Sequence, residues 1–261
     1  MNPALWVAKS GLDAQQTQMA VTANNLANVN TTGFKRSHAV FEDMIYQNIR
    51  QVGGQAAQDA QLPSGMSLGT GVRPVATEKI FTQGNIALTG NDLDVAIEGR
   101  GFLQVLQPDG TLAYTRDGTL QLSANGELVN SSGYLVQPAV TIPASSQSIT
   151  IGQDGVISAL LPGASTPTQV GSLQTVDFIN PVGLQSVGEN LMVETAASGT
   201  PQPGTPSTNG LGRLIQGALE TSNVNVVEEL VGMIETQRAY EMNSKAIQSA
   251  DEMMRFLNNN L

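Results

Sequence analysis

Gly65-Met66-Ser67-Leu68-Gly69 fits the G-x-S-x-G pattern of a nucleophilic serine elbow. That motif works when a strand precedes the serine, a helix follows it and a histidine later in the chain serves as base. Here the flanks show no such period, and the single histidine, His38, comes before the serine. One histidine cannot hold a metal ion alone. The absence of cysteine removes thiolate catalysis, disulfides and sulfur-ligated zinc. Asn91-Asp92-Leu93-Asp94 sets two carboxylates two residues apart but lacks the glycine and distal glutamate of a calcium loop. A turn entering a strand accounts for it. Asn30-Thr31-Thr32 and Asn130-Ser131-Ser132 match the glycosylation acceptor pattern, which chance produces often, and no glycine-rich phosphate loop is present. The chain therefore reads as a non-enzyme, with no catalytic, cofactor-binding or metal-binding residues and no cofactor.

The 261 residues carry a net charge of -10, with charged residues at 13%, about half the usual share. Lys35-Arg36 is the only adjacent basic pair, so no basic stripe exists for nucleic acid or anionic lipid. From Asp117 to Gly212 there is no lysine or arginine against six acidic residues. No window approaches eighteen consecutive apolar residues, and Lys9 and Asp13 interrupt the N-terminus. The expectation is a chain without a membrane span or a cleaved secretory signal, exported, if at all, by another route.

Two helices should flank a strand-rich middle. Asn2-Pro3 reads as an N-cap followed by proline in the first turn. Leu5, Leu12, Met19 and Leu26 then recur every seven residues. At the far end Val226, Met233, Tyr240, Ile247, Met254 and Leu261 repeat the same spacing. Sustained seven-residue columns mark a helix packed along another helix, so these ten residues are the candidate assembly interface. Asn225 with Glu228 resembles a capping box.

Between the helices the period becomes two. Asp94–Glu98, Phe102–Leu106, Leu112–Thr115, Thr119–Leu122, Glu127–Asn130, Tyr134–Gln137, Ser148–Ile151, Val156–Leu160 and Val170–Phe178 read as strands. Asp109-Gly110, Asp117-Gly118 and Asn125-Gly126 read as hairpin turns. The fold class is α+β: terminal helices paired as a coiled coil, and a β-rich middle of short antiparallel strands. Its expected organisation is a discontinuous helical domain at 1–40 and 215–261, an irregular extended connection at 41–80, and a β-rich outer domain at 81–214.

ANNLANVNTTGFK, Ala23 to Lys35, places four asparagines where a helix should still be running. Asparagine is a poor helix former because its amide competes for nearby backbone groups. The helix should run to about Asn28 and end over Asn30–Gly33, where Asn and Gly tolerate a left-handed cap. Asn24, Asn25 and Asn28 fall mostly off the apolar column, placed either to bond neighbouring helices and main chain or to face solvent.

ANNLANVNTTGFKR near the start and SNVNVVEELVGMIETQRAYEMNSKAIQSADEM near the end resemble the bacterial flagellar rod and hook family of axial proteins. TGNDLDVAIEGRGFLQV and YTRDGTLQLSANGELVNSSGYLVQP are similar to that family's middle domain. The resemblance implies a structural subunit of a helical tubular polymer, secreted through the flagellar type III export apparatus and located in the basal body across the periplasm. Its implied partners are further copies of itself, proximal rod proteins, the hook protein, and the bushing ring proteins of periplasm and outer membrane; nucleic acid is not among them. Terminal helices would line the channel and the β-rich middle would face outward. Within the family the alternative is a proximal rod or hook subunit, and a secreted β-rich binding module that oligomerises through its ends is the alternative of a different class.

Overall fold

The computed structural model describes residues 3–52, 55–57, 60–61, 64–163 and 166–259. Asn2 and Leu261 lie outside them. The chain forms two compact units, one of Met1–Ala27, Ser37–Glu78 and Asn225–Leu261, the other of Asn28–Arg36 and Lys79–Val224. With two helices and many antiparallel ladders the fold is α+β. Among the described residues no helix is long and apolar enough to cross a membrane.

The first unit is built on helices α1 (Pro3–Ala27) and α2 (Val226–Asn259), which pack together and run antiparallel. Asn25 bonds Glu229 at one end, and more than three turns away a Cβ on Gly11 would stand 3.0 Å from Asn243. At the start of α2 the Asn225 side chain accepts the Val227 amide at 3.1 Å, the N-cap bond expected of it. Within 41–80, expected to be an irregular extended connection, the described residues include paired strands. Ser37–Asp43 pairs with Val72–Lys79, and Tyr46–Arg50 pairs antiparallel with Met66–Gly69. The sequence shows no period there because both faces of the second ladder are exposed, so neither face demands apolar residues. Ser67, the would-be nucleophile, is an exposed strand residue opposite Asn48. That is not the strand-to-helix turn an elbow requires.

The second unit centres on a nine-stranded sheet. Phe102–Leu106 lies inside it, flanked by Leu112–Thr115 and Leu135–Gln137. Alternation along Phe102–Leu106 feeds two cores. Leu103 and Val105 join Val95, Ile97, Leu128 and Ile157 on one side. Phe102 joins Tyr114, Val176 and Phe178 on the other, with ring centroids 4.8 Å apart for Tyr114–Phe178 and 6.0 Å for Phe102–Phe178. Expected strands return with small shifts, and Val170–Phe178 divides into Thr168–Ser172 and Thr175–Asp177 around buried Leu173. Gly110 and Gly126 take the positive φ of their turns. Gly118 does not. It is required because any Cβ there would overlap the Val95 carbonyl, whose strand it crosses closely.

Tyr114 is fully buried, and its hydroxyl makes no hydrogen bond of normal geometry among the described residues, although the Glu194 carboxylate lies close enough to interact with it. Burial, and then the nearby Glu194 carboxylate, push its ionisation up to about 12. A raised phenol value contributes stability that is complete below pH 10 and is lost as pH climbs through 12, roughly 2 kcal/mol in all. Tyr114→Phe should therefore match or exceed the parent by about 1 kcal/mol at pH 7, since a buried hydroxyl without a normal hydrogen bond is removed. Between pH 10 and 12 it should pull further ahead. Denaturant unfolding of both proteins at pH 7 and pH 11 checks this, and a stability loss at pH 7 would contradict it.

Candidate functional site

The two sequence motifs at the chain ends meet in space, in each unit separately. In the first unit Asn25 is buried. Its amide oxygen accepts the Ser37 N–H at 2.9 Å while its nitrogen donates to the Ser37 carbonyl at 2.8 Å. The same nitrogen reaches both oxygens of Glu229, at 3.2 and 3.3 Å. One asparagine thus ties α1 to the strand after it and to α2. A leucine there would leave the Ser37 groups unpaired, which is why a helix former gives way to asparagine.

In the second unit the anchor is a buried cluster of charge. Lys35 donates to Glu220 Oε1 at 2.5 Å and to the Thr82 carbonyl at 2.8 Å. Arg116 reaches Glu220 Oε2 at 3.3 Å and donates to the Gly99 carbonyl at 2.7 Å, its guanidinium 5.3 Å from the Phe102 ring centre. Gly84 N–H completes the shell of Glu220 Oε1 at 2.8 Å. All three charged side chains are almost wholly buried. Burial pulls the Lys35 ammonium and the Arg116 guanidinium below their ordinary values, against Glu220, which raises both. Two cations share one carboxylate, and Arg116 Nε is left without a partner.

Backbone contacts extend the junction. Gly33, at φ +67, donates to the Glu220 carbonyl at 2.8 Å, and a Cβ there would sit 2.6 Å from the Asp117 nitrogen. Asn223 accepts the Arg36 N–H at 2.7 Å and donates to the Ile80 carbonyl at 2.8 Å. So α1 ends at Ala27, residues 28–30 turn, and Gly33–Arg36 is fixed main chain rather than a simple cap. Asn91 and Asp94 form the expected turn, with Asp94 accepting from Thr89 at 2.6 Å and from Asn91 at 3.1 Å.

The apolar columns are not the buried seam of the helix pair. Leu5, Leu12, Met19 and Leu26 are half-buried, as are Met233 and Ile247; Val226, Tyr240 and Met254 are exposed, and Leu261 lies outside the described residues. The helix residues buried within the unit are small or polar: Ala14, Thr22, Asn25, Thr236 and Ala250. Glu229, Thr236, Asn243 and Ala250 make a second seven-residue column, each three positions after a member of the predicted one. Hydrophobic periodicity was blind to it because it is written in Glu, Thr, Asn and Ala. Lys35, Arg116, Glu220 and Asn223 were missed as a site for a related reason: ion pairs far apart in sequence have no period. The one hint was the scarcity of cations, which leaves few partners for a buried glutamate.

Buried polar junctions between segments far apart in sequence, beside apolar helix surface left exposed, are the features of a structural chain. Comparison with known proteins gives the particular family. Residues 5–35 match the family described as flagella basal body rod protein, residues 96–159 the flagellar hook protein FlgE/F/G D1 domain, and residues 215–260 the flagellar basal body rod FlgEFG protein C-terminal region. The flagellar basal-body rod protein FlgG of Buchnera aphidicola subsp. Schizaphis graminum is 56% identical, covering 98% of this chain and 99% of the relative. FlgG of Borreliella burgdorferi is 48% identical over 99% and 98%, and FlgG of Bacillus subtilis 38% identical over 98% of both. The chain belongs to the flagellar basal-body rod protein family.

Proposed function

We propose that the chain is a structural subunit of the distal part of the rod, polymerising into a rigid hollow shaft that transmits torque and conducts exported proteins. The observation that carries this reading is apolar helix surface that the monomer does not use. On α2 Val227, Leu230, Val231 and Ile234 stand at i, i+3, i+4 and i+7, exposed by 69, 43, 50 and 55%. This run forms one face, offset from the Thr236–Ala250 column that packs within the unit. With the half-exposed columns Leu5–Leu26 and Val226–Met254 beside it, the pair offers neighbours a broad apolar coat. Isolated helix pairs gain stability by such packing.

In this reading the helices within 1–40 and 215–261, Pro3–Ala27 and Val226–Asn259, form a coiled-coil inner layer, with the Leu5, Leu12, Met19, Leu26, Val226, Met233, Tyr240, Ile247, Met254 and Leu261 columns meeting other copies. Residues 41–80 connect, and 81–214 face outward toward the ring proteins of periplasm and outer membrane. Proximal rod proteins and the hook protein adjoin the ends of the shaft, and the type III apparatus exports the chain. Ile45, Tyr46, Ile49, Val52, Met66 and Leu68 are all exposed on or beside the 46–50/66–69 ladder. A lone two-stranded ladder is marginal in water, so these residues pack between subunits and stiffen the shaft. Micrographs of the purified chain after concentration test the reading. Long hollow tubes are expected; closed small oligomers would overturn it in favour of a binding module.

A further inference from the structure

Lys35 and Glu220 are 185 residues apart in sequence, and Arg116 and Glu220 are 104 apart, yet the three close one buried cluster. We infer that Glu220 is a completion latch: the second unit closes around Lys35 and Arg116 only when the strand bearing Glu220 has arrived. Among the described residues the strand itself, Ala218–Glu220, pairs only with Ile86–Leu88. Apart from Glu220 it buries just Ala218 fully, so apolar burial holds it weakly. Its grip is polar. Among the described residues Glu220 is the carboxylate that ion-pairs both cations, Asp177 acting on Arg116 through its charge alone; Glu220 also takes the Gly84 N–H and, through its main chain, the Gly33 N–H. Without it, Lys35 and Arg116 retain, as hydrogen-bond acceptors among the described residues, the carbonyls of Thr82, Ile97 and Gly99, and Arg116 keeps the more distant charge of Asp177. A buried cation stripped of its counter-ion is strongly unfavourable. Until residue 220 is in place, the segments 33–36 and 79–84 therefore stay open and Lys35 stays in water.

The consequence is coupling. In the complete chain the Glu220 strand cannot peel away locally, because its departure strands two charges inside the unit. Amide hydrogen exchange on the full chain reads this directly at Gly33, whose acceptor is the main-chain oxygen of Glu220. In the parent protein Gly33 should exchange at the rate of the core amides of Phe102–Leu106. In the triple variant Lys35→Met/Arg116→Met/Glu220→Met the main-chain acceptor survives but the charges are gone, and apolar replacements of buried ion clusters are generally tolerated. There Gly33 should exchange at least 10-fold faster than Phe102–Leu106. Parent Gly33 exchanging 10-fold ahead of the core would overturn the latch, as would a triple variant in which the two rates remain equal. A triple variant that does not fold would also overturn it, since the charges would then be serving packing of the finished unit.

Discussion

Glu220→Gln is expected to lower the stability of the second unit by about 3–5 kcal/mol, the range for breaking a buried ion pair from one side. Glutamine keeps the shape and one acceptor oxygen, so Gly84 and the backbone can stay in place. What is lost is the charge that both Lys35 and Arg116 face at 2.5 and 3.3 Å. Lys35 can escape by losing its proton, because burial already pulls its ionisation down. Arg116 cannot, and it is already short of a partner at Nε. Against a total of roughly 5–15 kcal/mol for a folded domain, the loss is a large share. It corresponds to a fall in melting temperature on the order of 10 °C. Calorimetry of the full chain checks it. A fall of less than about 2 °C would mean that the three charges are not mutually dependent.

How legible was this molecule before its structure? The Phe102–Leu106, Leu112–Thr115, Ser148–Ile151 and Val156–Leu160 strands were readable to the residue. Along Val156–Leu160 one face meets a core and the other does not, and alternation follows, whereas Phe102–Leu106 feeds a core on each side. Strands such as Tyr46–Arg50, Gln185–Gly188 and Gln202–Gly204 were invisible because they lie in two-sided or edge positions with little burial. Asp117-Gly118 looked like a hairpin turn from its residue types. Its glycine answers instead to a close backbone crossing, which no local pattern encodes.

The candidate site was half legible. Asparagine crowding near residue 25 left two readings open, bonds to a helix and main chain or a solvent face; Asn25 makes both kinds of bond while Asn24 is exposed. The apolar columns signalled helix packing but not which surface the monomer spends on itself. That surface is marked by small and polar residues, which hydrophobic periodicity does not detect. The leftover apolar face is then the informative feature, because a helix with one face packed and a second face apolar has somewhere else to be.

Ile234→Asp and Tyr240→Asp should each abolish polymerisation while leaving the monomer folded. Both side chains are exposed in the single chain, by 55 and 41%. A carboxylate at either place meets water in the monomer and should shift its stability by no more than about 0.5 kcal/mol. In a tube whose subunits pack through these faces, the same carboxylate would be desolvated without a partner, at several kcal/mol per subunit. Ala250→Asp supplies the contrast. Ala250 is 7% exposed within the helix pair, so a charge there should damage the monomer itself and appear as lost helix signal before any association. Sedimentation and micrographs of the three variants, alongside their circular dichroism, separate the cases. Normal tubes from Ile234→Asp would remove the outer face of α2 from the interface. Normal tubes from Tyr240→Asp would remove the seven-residue column. If both variants polymerise normally, the C-terminal helix does not carry the assembly, and the apolar face it exposes must be covered by something other than a second copy of this chain.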